Sequence, residues 1–253
     1  MSEQSPQSGR IRIGCAGWTI PRAASAAFPL EGSHLERYAA VFNAVEINSS
    51  FYRPHRAATY ARWADSVPDA FRFSVKLPRT ITHDARLQSI AAPLAQFAAE
   101  AGTLGAKLGC VLVQLPPKLG FDAAVAADFF ARLQDHVGCM VACEARHPDW
   151  FGAEATALLT ARGVTRVIAD PPKGQPGAHE PTSAALYARL HGSPRIYYSS
   201  YDPDYLARLG HDARTHAAQG RDVWLMFDNT ASGASVPNAL AVLTPARSAD
   251  PQA

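Results

Sequence analysis

CVLVQLPPKLGFDAAVAADFFARLQDHVGCMVACEAR, residues 110–146, holds two short apolar runs on either side of a helix-compatible stretch. Cys110–Leu115 and Met140–Glu144 have the length and composition of β-strands, and Ala123–His136 fits a helix between them. A strand, a helix and a second strand in this order form the crossover that joins parallel strands. The same alternation extends in both directions. Ile11–Cys15, Ala44–Asn48, Phe71–Lys76, Val167–Asp170, Leu186–His191 and Val223–Phe227 are six further strand-like runs, and most gaps between runs can hold a helix. Eight strands in 253 residues predict an α/β protein built as one closed (β/α)₈ TIM barrel over residues 11–243. Residues 1–10 and 244–253 are polar and without periodicity, and are expected to be a disordered arm and a flexible tail.

Helix boundaries can be read locally. Ser33 and Glu36 form an S-x-x-E capping box, followed by Leu35, Tyr38, Ala39 and Phe42 on one helical face. Further helices fit Ala57–Ala64, Ala91–Leu104 and Ala153–Arg162, the last stopped by Gly163. Asp202 and Pro203 open another that runs to Gly220, and Val236–Leu243 closes the series. The sixth crossover is different: PPKGQPGAHEPTSAA, residues 171–185, is too rich in Pro and Gly for a helix. A loop is expected there, making the barrel irregular on one side. Gly192–Tyr201, with Tyr197, Tyr198 and Tyr201, is a candidate lid.

Composition narrows the function classes. With 47% hydrophobic residues the chain can bury a substantial core without disulfides or a structural metal. A net charge of +2 gives no broad electrostatic footprint for nucleic acid, so nucleic acid is the less favoured partner. Cys15, Cys110, Cys139 and Cys143 lie in or beside strand-like runs and are expected to be buried, reduced packing residues. No signal-like segment and no membrane span are evident, which predicts a soluble cytoplasmic protein. The oligomeric state is left open.

Barrel enzymes carry their active sites at the C-terminal ends of the strands. Those ends hold Glu46, Asn48, Lys76, Gln114, Glu144, Arg146, Asp170, Arg189, His191 and Asn229. Side chains two apart share a strand face, which pairs Glu46 with Asn48, Glu144 with Arg146, and Arg189 with His191. A ring of Glu46, Glu144 and Asp170 against Lys76, Arg146, Arg189 and His191 would be mutually compensating. As structure, it closes one end of the barrel with salt bridges. As function, it binds or transforms a ligand. No G-x-S-x-G elbow, G-x-G-x-x-G turn or phosphate-cradling Gly-rich loop is present.

Two chemistries fit these groups. Without metal, Arg146 and Arg189 clamp an anionic small molecule, while Glu46 or Glu144 acts as base and His191 as acid. Lys76 is then an electrostatic stabiliser, a Schiff-base lysine if its pKa is depressed, or a salt-bridge partner of Glu46. Alternatively Glu46, Glu144, Asp170 and His191, with His83 or His147 nearby, hold a divalent metal. No organic cofactor is expected. Trp18, Phe51, Tyr52 and Trp150 follow strand ends and offer rings on which a sugar or base could stack.

Several ordered segments carry these residues. They are GCAGW from Gly14, EINSSFY from Glu46, FRFSVK from Phe71, then Thr82 and His83, QLPP from Gln114, EARHPDW from Glu144, RLHG from Arg189, and FDN from Phe227. Together they resemble the YecE-like family, domain-of-unknown-function family 72, from about Ile11 to Leu243. The resemblance implies a TIM barrel and supplies no activity. The family pattern usually has Asn at Asp228 and a small residue at Pro148 or Asp149; Asp228 is expected to point away from Asn229 and off the site. The reading is a barrel enzyme acting by acid–base chemistry through Glu46, Glu144, His191 and Lys76. Asn48, Tyr52, Gln114, Arg146, Asp170, Arg189, Asn229, Trp18 and His83 would bind its small, polar, anionic substrate. Its rivals are a metal-dependent phosphoesterase acting on nucleic acid and a non-catalytic metabolite-binding module.

Overall fold

A computed structural model describes residues 8–243. The strands are β1 (Ile11–Cys15), β2 (Ala44–Ile47), β3 (Arg72–Lys76), β4 (Leu108–Gln114), β5 (Met140–Glu144), β6 (Thr165–Arg166), β7 (Ile168–Asp170), β8 (Leu186–Leu190) and β9 (Val223–Phe227). Among them run α1 (His34–Ala39), α2 (Ala57–Asp65), α3 (Ala91–Ala101), α4 (Ala123–His136), α5 (Ala153–Ala161), α6 (Pro203–Ala218) and α7 (Ser235–Leu243). Every strand pairing is parallel, in two sheets ordered β2-β3-β4-β5-β6 and β1-β9-β8-β7. The sheets approach each other at an isolated bridge between Ala16 and Glu46, and at Val167, which alone separates β6 from β7. The expected sixth strand is thus corrected to two short pieces. No helix lies between β7 and β8, as its Pro/Gly content predicts.

Two apolar layers position the site. The outer faces of the strands pack on the helices through residues such as Ile13, Val45, Val75, Val113 and Phe227. The inner faces contribute a smaller cluster of Ala44, Cys110, Leu112, Ala142, Val167, Tyr187, Trp224 and Met226, drawn from both sheets. Two positions further along β2, β4, β5, β8 and β9, the inner residues turn polar: Glu46, Gln114, Glu144, Arg189 and Asp228. The period of two therefore carries the apolar inner layer directly into a charged one.

Helix starts follow their caps. The Ser33 side chain accepts from the Glu36 amide and Glu36 returns to the Ser33 amide. Asp122 caps α4 by accepting from the Val125 amide, and Asp202 caps α6 by accepting from the Asp204 amide. The expected arm is corrected at its inner end: the Gly9 amide donates to the Ala217 carbonyl, and the Arg10 amide to Asp222. The rest of the arm, residues 1–7, and the tail at 244–253 lie outside the described residues.

Candidate active site

At the C-terminal ends of the strands the charged inner layer is centred on Arg189. Its side chain is fully buried. Nε donates to Glu46 Oε2 at 3.0 Å and Nη2 to Glu46 Oε1 at 2.7 Å, a bidentate pair. Nη1 donates to Glu144 Oε2 at 2.5 Å, and Nη2 also reaches Asp228 Oδ2 at 3.0 Å. Tyr187 donates to Glu46 Oε2, and Gln114 to Glu144 Oε2. Arg146 directs Nε and Nη2 at Glu144 Oε1, 3.1 and 2.9 Å away. His191 sits between two carboxylates, Nδ1 2.9 Å from Asp228 Oδ2 and Nε2 3.3 Å from Glu144 Oε1. The second contact is an ion pair only, since Nε2 has no partner in hydrogen-bond geometry.

Electrostatics follow from this packing. Burial by itself raises the Glu144 carboxyl, but Arg189, His191 and Arg146 outweigh it and hold that group well below the ordinary range. Asp228 balances the same way: burial raises it, Arg189 and His191 lower it further, and the net shift is downward. Burial lowers His191, yet its bond to Asp228 and its charged contact with Glu144 reverse this and raise the imidazole above its usual value. With His191 as imidazolium, Glu46, Glu144 and Asp228 are matched by Arg189, Arg146 and His191.

Lys76 is left over. It is 5% exposed, and its ammonium makes no ion pair or hydrogen bond among the described residues. Its ammonium lies 4.2 Å from the centroid of the Phe51 ring. Burial first, then Arg189, lowers its pKa to about 8. The expected salt bridge to Glu46 does not form, because Arg189 and Tyr187 already occupy both Glu46 oxygens.

Above this layer is a cleft of about 520 Å³ lined by Asn48, Lys76, His83, Gln114, Arg146 and Asp228, with Tyr52, Arg79, Tyr197 and Tyr198 around it. His83 stands on a single wide helical turn, Thr80–Asp84, closed by the Ala85 amide bonding to the Thr80 carbonyl. Burial, then Lys76, Arg79 and Arg146, lower the His83 pKa. Asn48 borders the cleft with its amide oxygen unpartnered. Tyr197 places its ring edge-on to His191 at 5.7 Å.

The cleft brings together Lys76, Asn48, Tyr52, Gln114, Arg146 and His83 from the expected set. Glu46, Glu144 and His191 lie beneath it, buried, with the carboxylate oxygens engaged by protein donors. The expectation that Arg189 grips a ligand is corrected, since all its reach is spent on three carboxylates. Asp170 is not in the ring: it accepts from the Tyr201 and Tyr205 hydroxyls on the outer side of β7. The expected metal set of Glu46, Glu144, Asp170 and His191 is therefore not assembled, and Arg189 stands among the remaining three. Among the described residues no group of three or more His, Cys, Asp or Glu side chains could hold a metal ion. Asn229 is also outside the cleft, donating to the Ser199 carbonyl and to Asn238. Trp18 packs edge-on against Trp63. The four cysteines are free thiols, and burial raises Cys15, Cys139 and Cys143 to about 12.

Asp228 is the residue the sequence reading misplaced. It lines the cleft and bonds Arg189 and His191 through Oδ2. Its signal was the strand period, because Trp224, Met226 and Asp228 are two apart and share the inner face.

Parallel β/α architecture with a cationic cleft at the strand C-termini defines the class of protein. The chain belongs to the family described as Protein of unknown function DUF72, whose profile matches residues 12–252. It is 30% identical over 226 residues to UPF0759 protein YecE of Escherichia coli (strain K12), covering 85% of this chain and 79% of that one. A DUF72 family protein of Thermotoga maritima superposes with a TM-score of 0.76 at 22% identity, over 92% of this chain and 97% of that chain. One from Enterococcus faecalis gives 0.77 at 20%, over 92% and 94%. A sugar phosphate isomerase/epimerase from Parabacteroides distasonis gives 0.50 at 14%, over 96% and 95%, a TIM-barrel-like relationship of fold alone. No helix among the described residues is long and apolar enough to cross a membrane.

Proposed function

We propose that the two sheets close as a TIM barrel and that the protein is an enzyme acting on a small anionic ligand, such as a phosphorylated or acidic sugar, bound in this cleft. The carrying observation is the charge count. The three buried carboxylates are engaged by Arg189, Arg146 and His191, and among the described residues the Lys76 ammonium has no carboxylate or hydrogen-bond partner, only the Phe51 ring. An ammonium on a buried side chain that opens only to a cleft is stabilised by an opposite charge there, and a ligand carboxylate or phosphate supplies it. Arg146, bonded to Glu144, and Arg79, paired with Asp84 at 3.1 Å, line the same space. The unpartnered Asn48 amide fits a ligand hydroxyl, and Tyr197 and Tyr198 offer ring surfaces. The acid–base groups that line the cleft are Lys76, His83 and Asp228, with Glu46, Glu144 and His191 fixing Asp228 and the floor from below.

The test is thermal unfolding of the purified protein with a panel of sugar phosphates, sugar acids and neutral sugars, alongside Lys76→Met. Anions should raise the Tm of the unaltered chain and not of the variant. Equal stabilisation by neutral sugars, or none by any anion, would refute the reading. A second reading, a nucleic-acid enzyme, is favoured by Tyr52, Tyr197 and Tyr198, exposed rings beside a cationic cleft. Oligonucleotide binding that weakens steeply with salt would select it.

A further inference from the structure

Resting on the reading of the cleft as an anion site, we propose that Lys76 is a nucleophile. It forms an imine with the carbonyl carbon of a small anionic aldehyde or ketone, and His83 carries the proton. The chain's other lysines are Lys107, Lys118 and Lys173. Lys107 is tied to the Ala64 and Val67 carbonyls and to Asp69. Lys118 is exposed, and Lys173 belongs to the long sixth crossover. Of the four lysines only Lys76 is buried and lines the cleft, and its ammonium lacks a hydrogen-bond or carboxylate partner among the described residues.

Its freedom is built in. Arg189 and Tyr187 engage Glu46, and Arg189, Gln114 and Arg146 engage Glu144, so neither carboxylate is left to hold the ammonium. Both groups touch Phe51: the Lys76 ammonium lies 4.2 Å from its ring centroid, and the His83 ring packs edge-on to it at 4.9 Å. Thr82 Oγ is 2.9 Å from His83 Nδ1, which leaves Nε2 without a protein partner among the described residues. The same surroundings favour the neutral form of both groups: burial and Arg189 for Lys76, burial and the three nearby cations for His83. A lysine of pKa about 8 is roughly one-tenth amine at pH 7, against less than about a thousandth for an ordinary one.

The step balances without an outside reagent. Lys76 passes one ammonium proton to neutral His83, and the amine adds to the carbonyl carbon. A C–N bond forms as the carbonyl π electrons move to oxygen. A second proton passes from nitrogen to that oxygen, giving a carbinolamine. The nitrogen lone pair then expels the hydroxyl, which takes the proton held by His83 and leaves as water. Ammonium and carbonyl have become iminium and water, with no change in net charge or oxidation state. The ligand's carboxylate or phosphate lies against Arg146 and beside the iminium, which keeps the positive charge that the Lys76 ammonium carried.

The experiment traps the imine. The full chain is incubated separately with glyoxylate, pyruvate and dihydroxyacetone phosphate in the presence of cyanoborohydride, and adducts are located by peptide mass mapping. One adduct per chain is expected on Lys76, absent in Lys76→Arg, with a trapping rate that rises through about pH 8. His83→Gln should slow trapping by about 100-fold while leaving the adduct on the same residue. Adducts spread over all four lysines would overturn the proposal. So would no adduct on Lys76 while unreactive sugar phosphates still stabilise the unaltered chain and not Lys76→Met, in which case the anion site stands. Absence of both adduct and anion stabilisation removes the two readings together.

Discussion

Arg189 shows how one residue can organise a cleft without lining it. It is fully buried and donates to Glu46, Glu144 and Asp228. Removing one member of a buried ion cluster strands the others at low dielectric, which costs about 3–5 kcal/mol. Arg189→Met should therefore lower urea stability by that amount, and Arg189→Lys should fail as well, because an ammonium cannot reproduce the bidentate fork on Glu46. Near-normal stability in either variant would mean the cluster is not the keystone of the inner layer. Lys76 has the opposite sign. Its folded pKa of about 8 lies below its unfolded value, so the penalty is full below about pH 8 and fades as pH rises toward about 10.4. Lys76→Met should raise stability by about 1–3 kcal/mol near neutral pH while abolishing anion binding. A destabilised variant would show that the ammonium is satisfied in the fold.

At the scale of elements, caps and strand period were readable because both act over a few residues. The Ser33 box, the Asp202–Pro203 start and the Ala123–His136 helix all stand where their local signals put them. The strand period also placed Glu46, Glu144 and Arg189 on the inner face. The same rule, applied through Val167 and Ala169, turns Asp170 outward, and through Met226 turns Asp228 inward. The loop over the cleft depends on longer contacts. Gly192 has φ +91°, and a Cβ there would fall 2.6 Å from the Ser199 carbonyl oxygen. Behind the loop, Asn238 on α7 accepts from the Tyr201 amide and from Asn229 and donates to Ser200. Asn238→Ala leaves two donors unpaired and should cost about 1–3 kcal/mol. Hydrogen exchange should accelerate at residues 192–201 and leave β2–β5 unchanged, whereas uniform acceleration would assign Asn238 to the global core.

Over the whole molecule the buried charges set how stability depends on pH. Glu144 and Asp228 have depressed folded values, so their contribution is full above about pH 4 and is lost as pH falls through those values. His191 has a raised value, so its contribution is full below about pH 6.5 and is lost as pH rises through it. In a Lys76→Met background, which removes the opposing lysine term, urea midpoints from about pH 3 to about pH 9 should show a plateau falling at both ends. A flat alkaline limb would mean that His191 is neutral in the folded protein.

The sequence by itself determined the alternation of strands and helices, the loop at the sixth crossover, the helix caps and a polar layer at the strand ends. Each of these is written in spacing over a few residues. Only the tertiary structure decided which of those polar residues line the cleft. Glu46 meets Arg189 across 143 positions, and Arg189 meets Asp228 across 39. Those pairings hold Glu46, Glu144 and Arg189 beneath the cleft, and Lys76, His83, Arg146 and Asp228 line it. Strand period fixes the side on which a charge lies. Its partner, and hence whether any charge is left for a ligand, depends on which strands are brought together and at what register.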